Sequence, residues 1–352
     1  MLEALHEAGL FRLLLPQSLD GGEADPPTFV RVMREIAKAD ASTAWCLCQT
    51  VVCSMAAAYL APDLAREVFG DPRAILCWGP PTRVEATAVA GGYRLSGAFT
   101  FASGGRHATW LGAACPSYGP DGVQRRQADG SPEVRTLLVP ASEVTWSDVW
   151  QVIGLKGTGS DSYAISDAFV PNELVVLRDE PGERRESNPL YRFSTYTMFA
   201  VGFAGVAIGI ARGSLDAFVQ LAAGKTPRAL QKTLRDNPVV QSQVGQTEAR
   251  LRAAETFLMR SLEEVWRDLD GELTMEQRVL LRMAASHALK ETKEVVDTAY
   301  YLAGSSAIFQ SAPFERRFRD MNTVRQQLQG RLDHFERVGQ YLLGLEPETL
   351  FL

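Results

Sequence analysis

The chain is short of groups that titrate near neutrality: 352 residues contain four histidines and five cysteines. It has no surplus of positive charge either. Lysine and arginine number 36 against 42 aspartates and glutamates, a formal net charge of −6, which disfavours nucleic acid as a partner. The cysteines (Cys46, Cys48, Cys53, Cys77 and Cys115) are an odd count in a long chain. That argues against a disulfide framework and for a reducing, cytoplasmic setting. No second Cys/His pair accompanies Cys46 and Cys48, so no tetrahedral metal site is expected. The N-terminus, MLEALHEAGLFRLLLPQ, lacks the charged-apolar-small order of a signal peptide. No uninterrupted apolar run reaches the ~18 residues of a membrane span. AAGKTP (222–227) lacks the glycine of a phosphate loop, Val219 standing in its place. No G-x-G-x-x-G opens a helix after a strand, which excludes a nucleotide-binding α/β domain.

What remains is 46% hydrophobic and 22% charged, ordinary for a globular protein, in a pattern that changes twice. Residues 1–73 read as a helical domain. PPTFVRVMREIAKAD carries Phe29, Val32 and Ile36 at helical spacing. Asp40 or Ser42 caps the next helix, STAWCLCQTVVCSMAAAYL, which is apolar on nearly every face. Over 74–180 the period drops to two. Short runs such as RVEATAVA, YRLSGAFTF, VRTLLVP and SYAISDAFVP alternate with Gly, Pro, Asp and Asn, predicting an antiparallel barrel or sandwich. Gly91–Gly92 is the expected hairpin turn, and 119–133 a polar loop. After a charged linker (178–189), residues 190–352 read as helices. Gly224 and Pro227 stop one of them, and Thr274 with Gln277 forms a capping box at the start of another.

Chemistry is thinly marked. In GLKGTGSDS (154–162), Gly157 and Gly159 let backbone amides approach an anion or a flat ring, with Thr158 and Ser160 as donors; the same stretch also reads as a plain loop between strands. His107, beside a glycine pair in SGGRHATW, is the histidine best placed for a pocket, though it also suits a turn cap. No Ser-His-Asp set or H-E-x-x-H occurs.

Several stretches in order resemble the acyl-CoA dehydrogenase superfamily: GLFRLLLPQSLDGGE (9–23), DASTAWCLC (40–48), GGYRLSGAFTFASGGRHATW (91–110), GLKGTGSDSYAISDAFVP, GIARGSLDAF, and A-G-S-S…FERRFRD. F-A-S-G where dehydrogenases read W-I-T-N, with L-K-G-T-G-S and P-L-Y-R, resembles the two-component flavin monooxygenase branch. The resemblance implies an α+β multidomain fold: an N-terminal α-helical domain, a central antiparallel β-barrel and a C-terminal four-helix bundle, assembled as a cytoplasmic homotetramer. It implies reduced flavin, FMN or FAD, delivered by a separate reductase, with molecular oxygen as co-substrate. A C4a-hydroperoxyflavin would then oxygenate a small aromatic or heteroatom-bearing molecule, with neither nucleic acid nor membrane as a partner. Phe101, Ala102 and Ser103 would lie against the flavin ring, with Gly157, Thr158, Gly159 and Ser160 nearby. Lys225 and Arg228 would meet its phosphate, and Ser305 and Ser306 would reach it from a neighbouring subunit.

The departures sit where bases belong. Gln329–Gly330 stands where the dehydrogenases carry Glu–Gly. Gln327 stands near the monooxygenase histidine that follows Arg-Asp by eight positions, and Cys53 at a second histidine position. An amide has no usable pKa and cannot act as general base, although it can orient a substrate; these glutamines also suit a solvated helix face. His107 is the nearby titratable candidate, unless a register shift brings His334 inward. The expected reaction is therefore oxygenation of a substrate that needs no deprotonation. A dehydrogenase with a relocated base, and a flavin-binding protein without catalysis, are the alternatives.

Overall fold

A computed structural model of the chain describes residues 1–119, 121, 123–126, 133–349 and 351–352. The polar loop expected at 119–133 lies partly outside the described residues. The chain folds as two compact units that alternate along the sequence. One comprises residues 1–24, 46–151 and 158–195, the other 25–45, 152–157 and 196–352.

The first unit holds α1 (Leu2–Glu7), most of α3 (Ala41–Ser54), α4 (Pro62–Phe69) and the strands. These are β1 (Leu76–Cys77), β2 (Pro81–Val89), β3 (Gly92–Phe99), β4 (Trp110–Pro116), β5 (Val134–Pro140), β6 (Val144–Ser147), β7 (Ser162–Pro171) and β8 (Val175–Val176). They pair as β1-β4-β5-β8 and β2-β3-β7-β6, with β1–β4 parallel and the rest antiparallel. The expected closed barrel does not form: among the described residues these are two open four-stranded sheets. Alternation in a sequence marks a half-buried strand but not whether its edges close. Here β1 and β8 are two residues long, and the edge strand β2 leaves Arg83 and Glu85 facing outward or nearly so, features that blunt an edge.

Tyr93, Leu95 and Phe99 of β3 point inward with Tyr163, Ile165 and Val170 of β7. The Tyr163 hydroxyl donates to the Gly112 carbonyl at 2.5 Å, tying one sheet to the other. The hairpin turn falls one residue earlier than predicted. Val89 pairs with Gly92 across Ala90–Gly91, and Gly91 has φ +80°. Gly92 is instead a packing glycine, since a Cβ there would stand 2.2 Å from the Val170 carbonyl oxygen.

The second unit holds α2 (Pro26–Ala39), α5 (Thr195–Gly224), α6 (Pro238–Arg267), α7 (Met275–Ala303), α8 (Pro313–Gln326) and α9 (Asp333–Leu342). Local chemistry sets its helix starts. Asp25 accepts from the Thr28 amide at 2.7 Å, and Asn237 from the Val239 amide at 2.9 Å. The predicted capping box of Thr274 and Gln277 is present, as is the Asp40 cap, which accepts from the Thr43 amide at 2.8 Å. Gly205, Gly209 and Gly213 line one face of α5 where α2 passes; a Cβ on Gly209 would come 2.3 Å from the Arg34 carbonyl oxygen. By length and composition Ala41–Tyr59 and Thr195–Gly224 could cross a membrane. Yet 78% and 94% of their most apolar windows are buried inside the protein, as core helices are.

Candidate functional site

In the first unit three hydroxyls form a buried chain. The Ser103 and Ser160 oxygens are 2.6 Å apart, and those of Ser160 and Thr158 2.7 Å. The backbone brings them together. The Ala102 amide donates to the Asp161 carbonyl at 3.2 Å, and the Gly104 amide to the Thr158 carbonyl at 3.0 Å. Immediately before them Phe101 sits at φ +55°, a conformation that few non-glycine residues adopt. Phe101 is consequently turned outward and 60% exposed. Its ring meets Trp150 edge-on, centroids 5.9 Å apart at 84°.

Asp161 holds this arrangement from behind. It accepts from the Val149 and Trp150 amides at 3.1 and 3.3 Å and pairs with Arg106 at 2.8 Å. Burial works against its charge, but those amide donors and the guanidinium outweigh it and keep the carboxyl below its ordinary value. The guanidinium in turn lies 5.0 Å over the Trp146 ring. An exposed aromatic face beside a fixed row of hydroxyls suits a flat ring with polar edge atoms.

Ala102 is fully buried and acts through its backbone. Gly159 has φ +48°, whereas Gly157 belongs to the second unit, where a Cβ would press on Ser42 at 3.0 Å. The His107 side chain is exposed on the turn after Gly105. Cys53 is fully buried; Gln49 reaches its sulfur at 3.5 Å and the Trp78 carbonyl at 2.9 Å. Contact with Cys53, and then burial, push the Cys77 thiol up, so it stays protonated.

In the second unit the Lys225 ammonium donates to the Ala303 carbonyl at 2.6 Å and to Ser306 at 2.8 Å within one chain. Ser305 and Arg228 are exposed. Gly304, which separates Ala303 from these serines, has φ +57° and ψ −143°. A cationic head, two hydroxyls and a glycine turn suit a phosphate.

Gln327 and Gln329 do different things. The Gln327 side chain accepts from the Gln329 amide at 2.8 Å and caps the 3-10 turn Leu328–Gly330. Gln329 is 3% exposed and accepts from Arg282 of α7. Neither lies on a solvated helix face. Sequence reasoning passed over Arg282, an arginine inside the apolar run VLLRMAA; a charge in a buried stripe is the signal that marks it. Burial first, then repulsion from Arg337, lowers its pKa to about 9. His334 is 1% exposed, and its Nε2 donates to the Leu328 carbonyl at 2.9 Å. Burial, then repulsion from Arg282, lowers its pKa too.

Residues 201–329 match the family model of the acyl-CoA dehydrogenase C-terminal domain. Over 99% of its length the chain is 27% identical to an indole-3-acetate monooxygenase of Pseudomonas putida, covering 87% of that protein. It is 28% identical, over 99% of its length and 88% of the relative, to the oxygenase component of an FADH2-dependent resorcinol hydroxylase from a Rhizobium species. Among solved structures, the 3-HSA hydroxylase of a Rhodococcus species superposes with TM-score 0.89 at 26% identity, covering 99% of this chain and 91% of that one.

Proposed function

We infer the reaction from kinship and geometry together: the chain belongs to the acyl-CoA dehydrogenase superfamily and resembles its reduced-flavin-dependent monooxygenases along almost its whole length. It acts as the oxygenase component of a two-component system on a small aromatic or heteroatom-bearing substrate. The observation that carries this is the buried Ser103–Ser160–Thr158 chain beside the outward ring of Phe101. Bound reduced flavin supplies two electrons to dioxygen, so that one oxygen atom goes to the substrate and the other leaves as water.

The chain's own residues do the rest. Phe101 and Trp150 offer an apolar surface to the ring and displace water from it. Ser103 and Ser160 fix donors and acceptors at its polar edge, and the neighbours that hold them in place spare the reorganisation that water would require. Lys225 and Arg228 are our candidates for the flavin phosphate, with Ser305 and Ser306 reaching it from a neighbouring subunit. Where dehydrogenation would need a carboxylate base, Gln329 is an amide already accepting from Arg282. It cannot abstract a proton, and this supports oxygenation over acyl-CoA dehydrogenation. The proposal extends to a separate reductase as flavin donor, a cytoplasmic setting, and a homotetramer built on a C-terminal four-helix bundle.

The test is anaerobic loading with FADH2 or FMNH2, followed by 18O-labelled dioxygen and either indole or butyryl-CoA. One labelled oxygen atom in the indole product, with the thioester untouched, is the expected outcome. Desaturated thioester without label would establish the dehydrogenase instead. Failure to bind either reduced flavin would leave a protein that kept the fold and lost the chemistry.

A further inference from the structure

Arg282 lies in the first third of α7, 2% exposed, and among the described residues no carboxylate is hydrogen-bonded to it. Its Nη1 donates to Gln329, while Nε and Nη2 are buried with no partner. Those two atoms share one edge of the guanidinium, and their parallel N–H bonds match the two oxygens of a carboxylate. Four residues on, Ser286 occupies the same face of α7. It is 3% exposed and its Oγ is likewise buried and unpartnered. Native interiors leave few such groups unpaired, because each costs free energy to bury.

The surrounding charge points the same way. Arg331 and Arg337 pair with Asp333, and Arg337 also with Glu348. With Arg282 that makes three cations against two anions, so the cluster lacks one negative charge. Val279, Val338 and Leu352 form a buried apolar cluster on the same two helices and the tail.

We infer that this cluster is a receptor for one organic carboxylate, gripped at two points by the free edge of Arg282 with the Ser286 hydroxyl donating beside it. On the oxygenase reading above, on which this step rests, the substrate is an aromatic acid. A small free acid offers the same chemistry, and the arms of the experiment separate the two sources.

The full chain is titrated calorimetrically, as wild type, Arg282→Met and Arg282→Lys, with indole-3-acetate, indole and acetate. Methionine fills a similar volume without an uncompensated buried charge, so Arg282→Met stays folded; its thermal transition is measured alongside. Wild type should bind indole-3-acetate, and Arg282→Met should weaken that binding on the order of 30-fold or more. Lysine keeps the charge but loses the fork, and should recover only part of it. Indole should bind all three proteins alike. Acetate binding that depends on Arg282 and resists competition by indole-3-acetate keeps the receptor and overturns the aromatic-acid substrate. Equal affinity of wild type and Arg282→Met for both acids overturns the inference. Neither flavin nor oxygen enters the titration, so a failed oxygenation and a failed receptor are told apart.

Discussion

A buried hydroxyl carries no charge and acts only through its partners; Ser103 finds Ser160 at 2.6 Å, and Ser160 finds Thr158. Ser103→Ala should therefore weaken reduced-flavin binding by about 5-fold, roughly the worth of one net hydrogen bond. Anaerobic fluorescence titration reads this, and a superimposable curve would remove Ser103 from the site. The motif around Ser103 was readable because a turn with fixed glycines and hydroxyls leaves a local imprint. Arg282 left only a weak mark, a charge inside an apolar run, and the burial of His334 depends on which distant segments cover it. His334 gives the pH prediction. Its folded pKa lies below the ordinary 6.5, so the unfolded chain takes up its proton first. Stability from this group is present above about pH 7 and is lost as the pH falls through 6.5 toward the folded value. The melting temperature should drop between about pH 7.5 and 5.5, and His334→Gln should drop less. Equal slopes would mean that other groups set the acid limb.

Elements were easier to foresee than their contacts. The capping box before α7 and the aspartate cap before α3 are local chemistry, and both formed as read. The hairpin register slipped by one because two adjacent glycines answer to different demands: Gly91 to a left-handed turn, Gly92 to the neighbouring strand. The stripe of Gly205, Gly209 and Gly213 is where the α2 backbone comes close to α5. A methyl on Gly209 would meet the Arg34 carbonyl carbon-to-oxygen at 2.3 Å and the Ala37 Cβ at 2.7 Å. Neither can swing aside as a side-chain tip does. Gly209→Ala should cost about 1–3 kcal/mol, read as a lower denaturant midpoint at unchanged slope. Gly224→Ala, with nothing within 4 Å of its Cβ, is the control and should be near neutral. If both variants melt alike, close approach does not explain the glycine at 209.

At the scale of the molecule, the order of helices, strands and helices could be read along the chain. The alternation of two compact units could not, since it depends on which segments meet. One consequence of the helical unit extends beyond a single chain. Phe218, Ala222, Val240, Ala299, Ala303 and Phe314 form a buried cluster. The segments bordering it also leave large apolar side chains in water: Val219 is 51% exposed, Tyr301 78%, Ile308 63% and Phe309 60%. Single exposed hydrophobes are ordinary, but several on adjoining segments of one unit suggest a face covered by something. The homotetramer proposed above supplies the cover. Light scattering after gel filtration should then give a mass near four copies of the 38.6 kDa chain. Ile308→Glu with Phe309→Glu places two like charges on that face, which an interface core does not tolerate. These positions lie outside the buried cluster, so the fold should persist, as circular dichroism would register. The expected outcome is a folded particle of lower mass and, on the proposal that Ser305 and Ser306 reach the flavin phosphate from a neighbouring subunit, weaker flavin binding. A folded double variant that keeps a four-copy mass would mean that the assembly uses another surface.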